Sequence, residues 1–112
     1  MPAKDYPETP DGRYFVAKGR LWRKTDPRLS DSERRAAIKA LMQARRAVGQ
    51  AETDEETRTA RAAVDAAKRR LGERGPVWWD DGAPDEGGYA PKNTSYADWW
   101  SGLSDTERAR GT

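Results

Sequence analysis

The chain has 112 residues, a formal net charge of +2 and an apolar share of 35%. Alanine supplies 17 of those 39 apolar residues, while Leu, Ile, Val and Phe together number 11. A thick aliphatic core is therefore excluded, and what remains is a thin core of alanine and aromatics around one small domain. Without cysteine or histidine there is no disulfide framework, no thiolate zinc site, no cysteine nucleophile and no imidazole base.

The small net charge hides a polarity. Residues 1–74 carry 18 Lys and Arg against 12 Asp and Glu, and residues 75–112 carry 3 against 7. A basic body with an acidic tail suits a polyanion partner that the tail competes with, or simple surface solvation.

Residues 1–12 hold prolines at 2, 7 and 10 and close in Thr9-Pro10-Asp11-Gly12, so they read as a flexible leader ending in a turn. They contain no apolar run, and neither a signal peptide nor a membrane contact is expected, which places the protein in the cytoplasm. Two β-prone runs flank Lys18-Gly19, which predicts a hairpin with a two-residue turn. Its register pairs Tyr14 with Arg23, Phe15 with Trp22 and Val16 with Leu21.

Ser30-Asp31-Ser32-Glu33 is a capping box opening a helix whose apolar stripe is Ala37, Ile38, Leu41, Met42, Ala44, Val48 and Ala51. Gly49 predicts an early stop. Thr53-Asp54-Glu55-Glu56 repeats the signal, and Thr57, Ala60, Val64, Ala67 and Leu71 follow in three-four alternation. Gly72, Gly75 and Pro76 end this second helix. Two long helices joined by a short loop fold back as an antiparallel hairpin.

From Pro76 onward no period is visible, and Gly and Pro dominate. Asn93-Thr94-Ser95 is placed to cap a short helix carrying Tyr96, Trp99, Trp100 and Leu103, and Ser104-Asp105-Thr106-Glu107 is a third capping box before a frayed end. The predicted fold is α+β, with a β-hairpin and helical hairpin over 13–75 and an acidic, Trp-rich tail over 76–112 packing across them.

Two functional readings follow. In the first, the chain is a small non-enzymatic interaction module, self-associating as a homodimer or docking another protein. Its candidate contacts are Trp78, Trp79, Asp80, Asp81, Trp99 and Trp100, because Trp and Arg dominate binding hot spots. The first expectation for the same tryptophans is nonetheless a place in the core or in an intramolecular clamp, in a chain poor in Leu and Ile. In the second, nucleic acid binds the basic aromatic hairpin through Arg13, Lys18, Arg20, Trp22, Arg23 and Lys24, with arginine-rich helices adding phosphate contacts and the tail acting as a brake. The helices' charges are interspersed, and no helix-turn-helix, zinc-finger or RNA-recognition signature is present. The chain also carries no P-loop, dinucleotide turn or serine elbow. Asp80, Asp81, Asp85 and Glu86 form its only dense acidic group, with spacing that does not match a calcium loop. No catalysis and no cofactor are expected.

Gly12-Arg13-Tyr14-Phe15-Val16, Gly19-Arg20-Leu21-Trp22-Arg23, Leu41-Met42-Gln43-Ala44-Arg45-Arg46 and Leu71-Gly72-Glu73-Arg74-Gly75-Pro76-Val77-Trp78-Trp79 resemble, as a set, a group of short uncharacterised bacterial proteins with the same strand pair, helical hairpin and tryptophan-rich ending. The resemblance runs over roughly residues 12–100 and implies a bacterial cytoplasmic protein. Some members are labelled Tol-type biopolymer transporters, a label that no membrane segment of this sequence supports.

Overall fold

The computed structural model describes residues 5–112. The chain forms two compact units, one made of residues 5–24 with 79–112 and the other of Thr25–Trp78. The division falls at different positions from the body and tail that composition suggests.

In the first unit, β1 (Tyr14–Ala17) and β2 (Arg20–Arg23) pair antiparallel. The register is Tyr14 with Arg23, Phe15 with Trp22 and Val16 with Leu21, as alternation predicts. Lys18 and Gly19 both have positive φ (55° and 74°), the geometry of a two-residue turn that matches strand twist. A two-stranded ribbon is marginal by itself, and here both of its edges are covered. Outside β1, the Val16 N–H donates to the Pro7 carbonyl and the Thr9 N–H to that of Tyr14, each at 2.9 Å. Outside β2, the Leu21 N–H donates to the Tyr89 carbonyl and its own carbonyl accepts from Gly88.

The expected leader is thus part of the fold from Pro7 onward, because the edge of β1 offers backbone groups that Pro7 and Thr9 satisfy. Its turn is present, with the Gly12 N–H 3.0 Å from the Thr9 carbonyl. One face of the ribbon, Tyr14, Val16 and Leu21, is wholly buried. On the other, Phe15 stacks on Tyr6 at 5.5 Å.

The second unit is the helical hairpin. Helix α1 (Asp31–Gln50) opens on the full Ser30–Glu33 capping box, and α2 (Asp54–Arg70) on Thr53, whose side chain accepts from the Glu56 N–H. Gly49 does not stop α1: the hydrogen-bonded run continues to Gln50, and the Ala51 N–H donates to the Val48 carbonyl. Ala37, Leu41, Ala67 and Leu71 form the core, with Leu29, Ala40 and Val64 packed against it. The ends of the unit are tied together, the Asp26 N–H donating to the Leu71 carbonyl and Thr25 Oγ1 to Glu73, each at 2.8 Å.

The remaining elements belong to the first unit. A 3-10 turn at Pro91–Asn93 precedes α3 (Ala97–Ser101) and α4 (Asp105–Ala109). Tyr96, rather than the Asn93–Ser95 group, is the N-cap of α3; the Thr94 hydroxyl donates to the Pro91 carbonyl at 2.7 Å and accepts from the Tyr96 N–H at 3.2 Å, so it closes the turn just before the helix. Ser104 and Glu107 close a complete capping box on α4. Beyond it the chain is anchored rather than loose: Gly111 is buried, its carbonyl 2.7 Å from the Gly19 N–H. No described helix is long and apolar enough to cross a membrane.

Candidate functional site

Four of the residues flagged by the sequence, Arg13, Arg23, Trp79 and Asp81, gather around Tyr14. Its ring meets Trp79 and Tyr96 edge-on, both with centroids at 5.5 Å. Trp79 is only 9% exposed, and its indole N–H donates to the Ala83 carbonyl at 2.8 Å. The guanidinium of Arg13 lies over its ring at 4.8 Å and that of Arg23 at 5.8 Å, so the ring is clamped between cations by its quadrupole. Each cation is itself paired, Arg13 with Asp81 and Arg23 with Asp85, the latter at 2.8 Å. Phe15 and Trp22 are on the opposite face of the ribbon, and Trp79 packs on the face of Tyr14 and Arg23.

Hydrogen bonding closes the cluster. The Glu86 N–H donates to the Tyr14 hydroxyl at 2.9 Å, and the Tyr96 hydroxyl donates to Asp11 at 2.6 Å. Burial pushes the Tyr14 hydroxyl up to about 12, and burial with the Asp11 hydrogen bond raises that of Tyr96 further. Burial also pushes the Asp85 carboxyl up, but the Gly87 N–H and the Arg23 guanidinium outweigh it and hold it below the ordinary carboxylate value. Both tyrosines are thus neutral and both acids ionised at neutral pH. The arrangement locks two chain segments together and presents no activated nucleophile.

The other flagged residues scatter. Trp78 is half-buried in the helical unit, and Trp99 and Trp100 are half-buried on α3, with ring centroids 6.0 Å apart. Asp80 is exposed. Lys24 pairs with Glu8 at 2.8 Å. Lys18 and Arg20 are exposed, as is Trp22 at 43%, whose indole N–H donates to the Ala17 carbonyl. The structure therefore joins two of the six residues in each candidate set into one clamp: Trp79 and Asp81 from the tail, Arg13 and Arg23 from the hairpin. Among the described residues no group of three or more acidic side chains is placed to hold a metal ion.

A different surface escapes the sequence reading. Ile38 and Met42, assigned to the core stripe of α1, stand 41% and 58% exposed. They share an open pocket of about 360 Å³ with Arg35, Lys39, Gln43 and Arg46. The signal was available in the width of the stripe, since a helix face two residues wide needs more cover than an alanine and valine partner supplies. Comparison of the chain with protein-family models, curated proteins and solved structures gave no match.

Proposed function

We propose that the chain is a non-enzymatic interaction module that docks an acidic protein segment on α1. The observation that supports this most directly is the exposed Ile38–Met42 pair framed by Arg35, Lys39 and Arg46. Adjacent large apolar side chains one turn apart, rimmed by cations, match the i, i+4 anchors with which one helix receives another. From Arg34 to Ala51 the chain carries five cations and no carboxylate. Charge complementarity therefore selects an acidic partner, and twofold pairing of this face with a second copy would oppose cation to cation. Trp79 is too enclosed to anchor a partner, and the hairpin reading of nucleic-acid binding keeps only Lys18, Arg20 and Trp22 outside ion pairs.

Photo-cross-linking from position 42 in the native cell, with position 89 as a reference site, tests the proposal. One acidic protein should be captured from position 42 alone. The Lys39→Glu/Arg46→Glu variant should lose that capture while keeping its helix content. Equal capture from both sites, or capture indifferent to the charge reversal, refutes it.

A further inference from the structure

A second surface of the helical unit has a different chemistry. An open pocket of about 400 Å³ is lined by Arg45 and Val48 from α1, Arg61 and Val64 from α2, and Arg74 from the segment that follows. Three arginines from three separate pieces of chain thus line one concavity together with two valines. Arg45 and Arg61 make no ion pair among the described residues. Arg74 is 3.2 Å from Asp65, which already accepts from Arg69 at 2.8 Å. One carboxylate is therefore divided between two guanidiniums, and none remains for the other two.

Like charges are crowded here. The Lys68 ammonium lies below its ordinary value, first through burial and then through repulsion by Arg74 and Arg45, against a smaller opposing pull from Glu73. Native surfaces disperse such charge unless an anion returns the electrostatic energy.

We propose that this pocket binds the phosphate group of a small phosphate ester, its carbon portion resting on Val48 and Val64. The count of donors favours phosphate over carboxylate. A carboxylate has two oxygens and one charge, and one bidentate arginine satisfies it. A phosphate monoester offers three oxygens and close to two charges, which matches three arginines lining one pocket. The volume suits a ligand of small-molecule size, and a short pocket rather than a long track favours a discrete ester over a polymer backbone. Asp65 is not among the residues that line the pocket, and its carboxylate holds Arg74 at 3.2 Å.

The test is calorimetric titration of the full chain with inorganic pyrophosphate, then inorganic phosphate and acetate, at about 50 mM salt. Pyrophosphate should bind most tightly and acetate at least about tenfold more weakly. The Arg45→Gln/Arg61→Gln variant should lose about tenfold or more in pyrophosphate affinity. An Arg108→Gln/Arg110→Gln variant, altered in the other unit, should bind as the unaltered chain does. Circular dichroism of both variants establishes that the helices persist, and if the first loses them, single Arg45→Lys and Arg61→Lys variants replace it and should still weaken binding. No heat with pyrophosphate, equal affinity for acetate, or unchanged affinity in the pocket variants overturns the proposal. A single-stranded oligonucleotide that binds more tightly than pyrophosphate, with affinity growing with its length, also overturns it and assigns the arginines to a polymer instead.

Discussion

At the scale of single residues, Tyr14 shows how much one buried hydroxyl controls. It is fully enclosed, accepts from the Glu86 N–H and touches two other aromatic rings. Its folded-state pKa is pushed up to about 12 from 10.0. Between those values the unfolded chain has released this proton and the folded chain has not, so stability is complete below about pH 10 and falls as pH rises toward 12. The expected loss from this group is on the order of 2–3 kcal/mol, and Tyr96, raised for related reasons, adds in the same direction. Urea unfolding at pH 8, 10 and 12 measures it, and a flat midpoint across that range contradicts the account. At the other end, Asp11 and Asp85 sit below their ordinary value, so stability falls once acid protonates them. None of this was readable from the amino acids alone. Arg13, Trp79, Asp81 and Asp85 are ordinary members of a basic hairpin and an acidic loop until the fold carries residues more than sixty positions apart into contact.

At the scale of elements, local chemistry was legible wherever a short-range rule decides the outcome. Strand alternation and the Lys18-Gly19 turn set the hairpin register, and the Ser30 and Ser104 capping boxes form in full. The Thr53 box forms by half, because Glu56 accepts from the Glu52 N–H instead of from the cap residue. This difference sets an expectation at the third helical position. Glu33→Ala removes the bond to the cap residue's own N–H and should destabilise the helical unit, by less than loss of a cap side chain does. Ser30→Ala and Thr53→Ala each remove one cap bond of similar length and should each cost about 1 kcal/mol. Thermal melts followed at 222 nm measure all three, and an unchanged melt of Glu33→Ala would show that the reciprocal bond contributes nothing. Periodicity failed where it had to supply a partner as well as a face. It marked Ile38 and Met42 as apolar, and only the narrow Ala60, Val64 and Ala67 of the facing stripe signalled that they would lack cover. Propensity likewise misjudged Gly49, where the hydrogen bonds of a long helix override the cost of one glycine.

For the molecule as a whole, the two units differ most in how far apart in sequence their contacts lie. The helical hairpin closes between neighbouring segments, whereas the first unit depends on bonds such as Arg23 to Asp85 and Glu86 to Tyr14, 62 and 72 residues apart. Loop closure delays the second kind. Refolding followed by stopped flow should therefore show helical circular dichroism recovering first and a slower phase of tryptophan fluorescence as Trp79 enters its clamp. Coincident phases would mean that the units form together. The charge polarity along the sequence also acquires a location. Acidic residues of the tail pair with Arg13 and Arg23. Among the described residues the helices, where both proposed contacts lie, carry most of the cations that no ion pair includes.

The chain path of the helical unit has a further consequence. It leaves the first unit after Lys24 and returns at Trp79, and its own ends are stitched by the Asp26–Leu71 and Thr25–Glu73 bonds. Topologically it is a cassette, a hairpin inserted in the chain between Lys24 and Trp79 of the other unit. Such an insert can lengthen or shorten by whole helical turns at its distal loop, around Glu52, without altering the registers that hold the host together. Variation in its length, and with it the reach of whatever α1 contacts, is open to the protein at little risk to the rest of the fold.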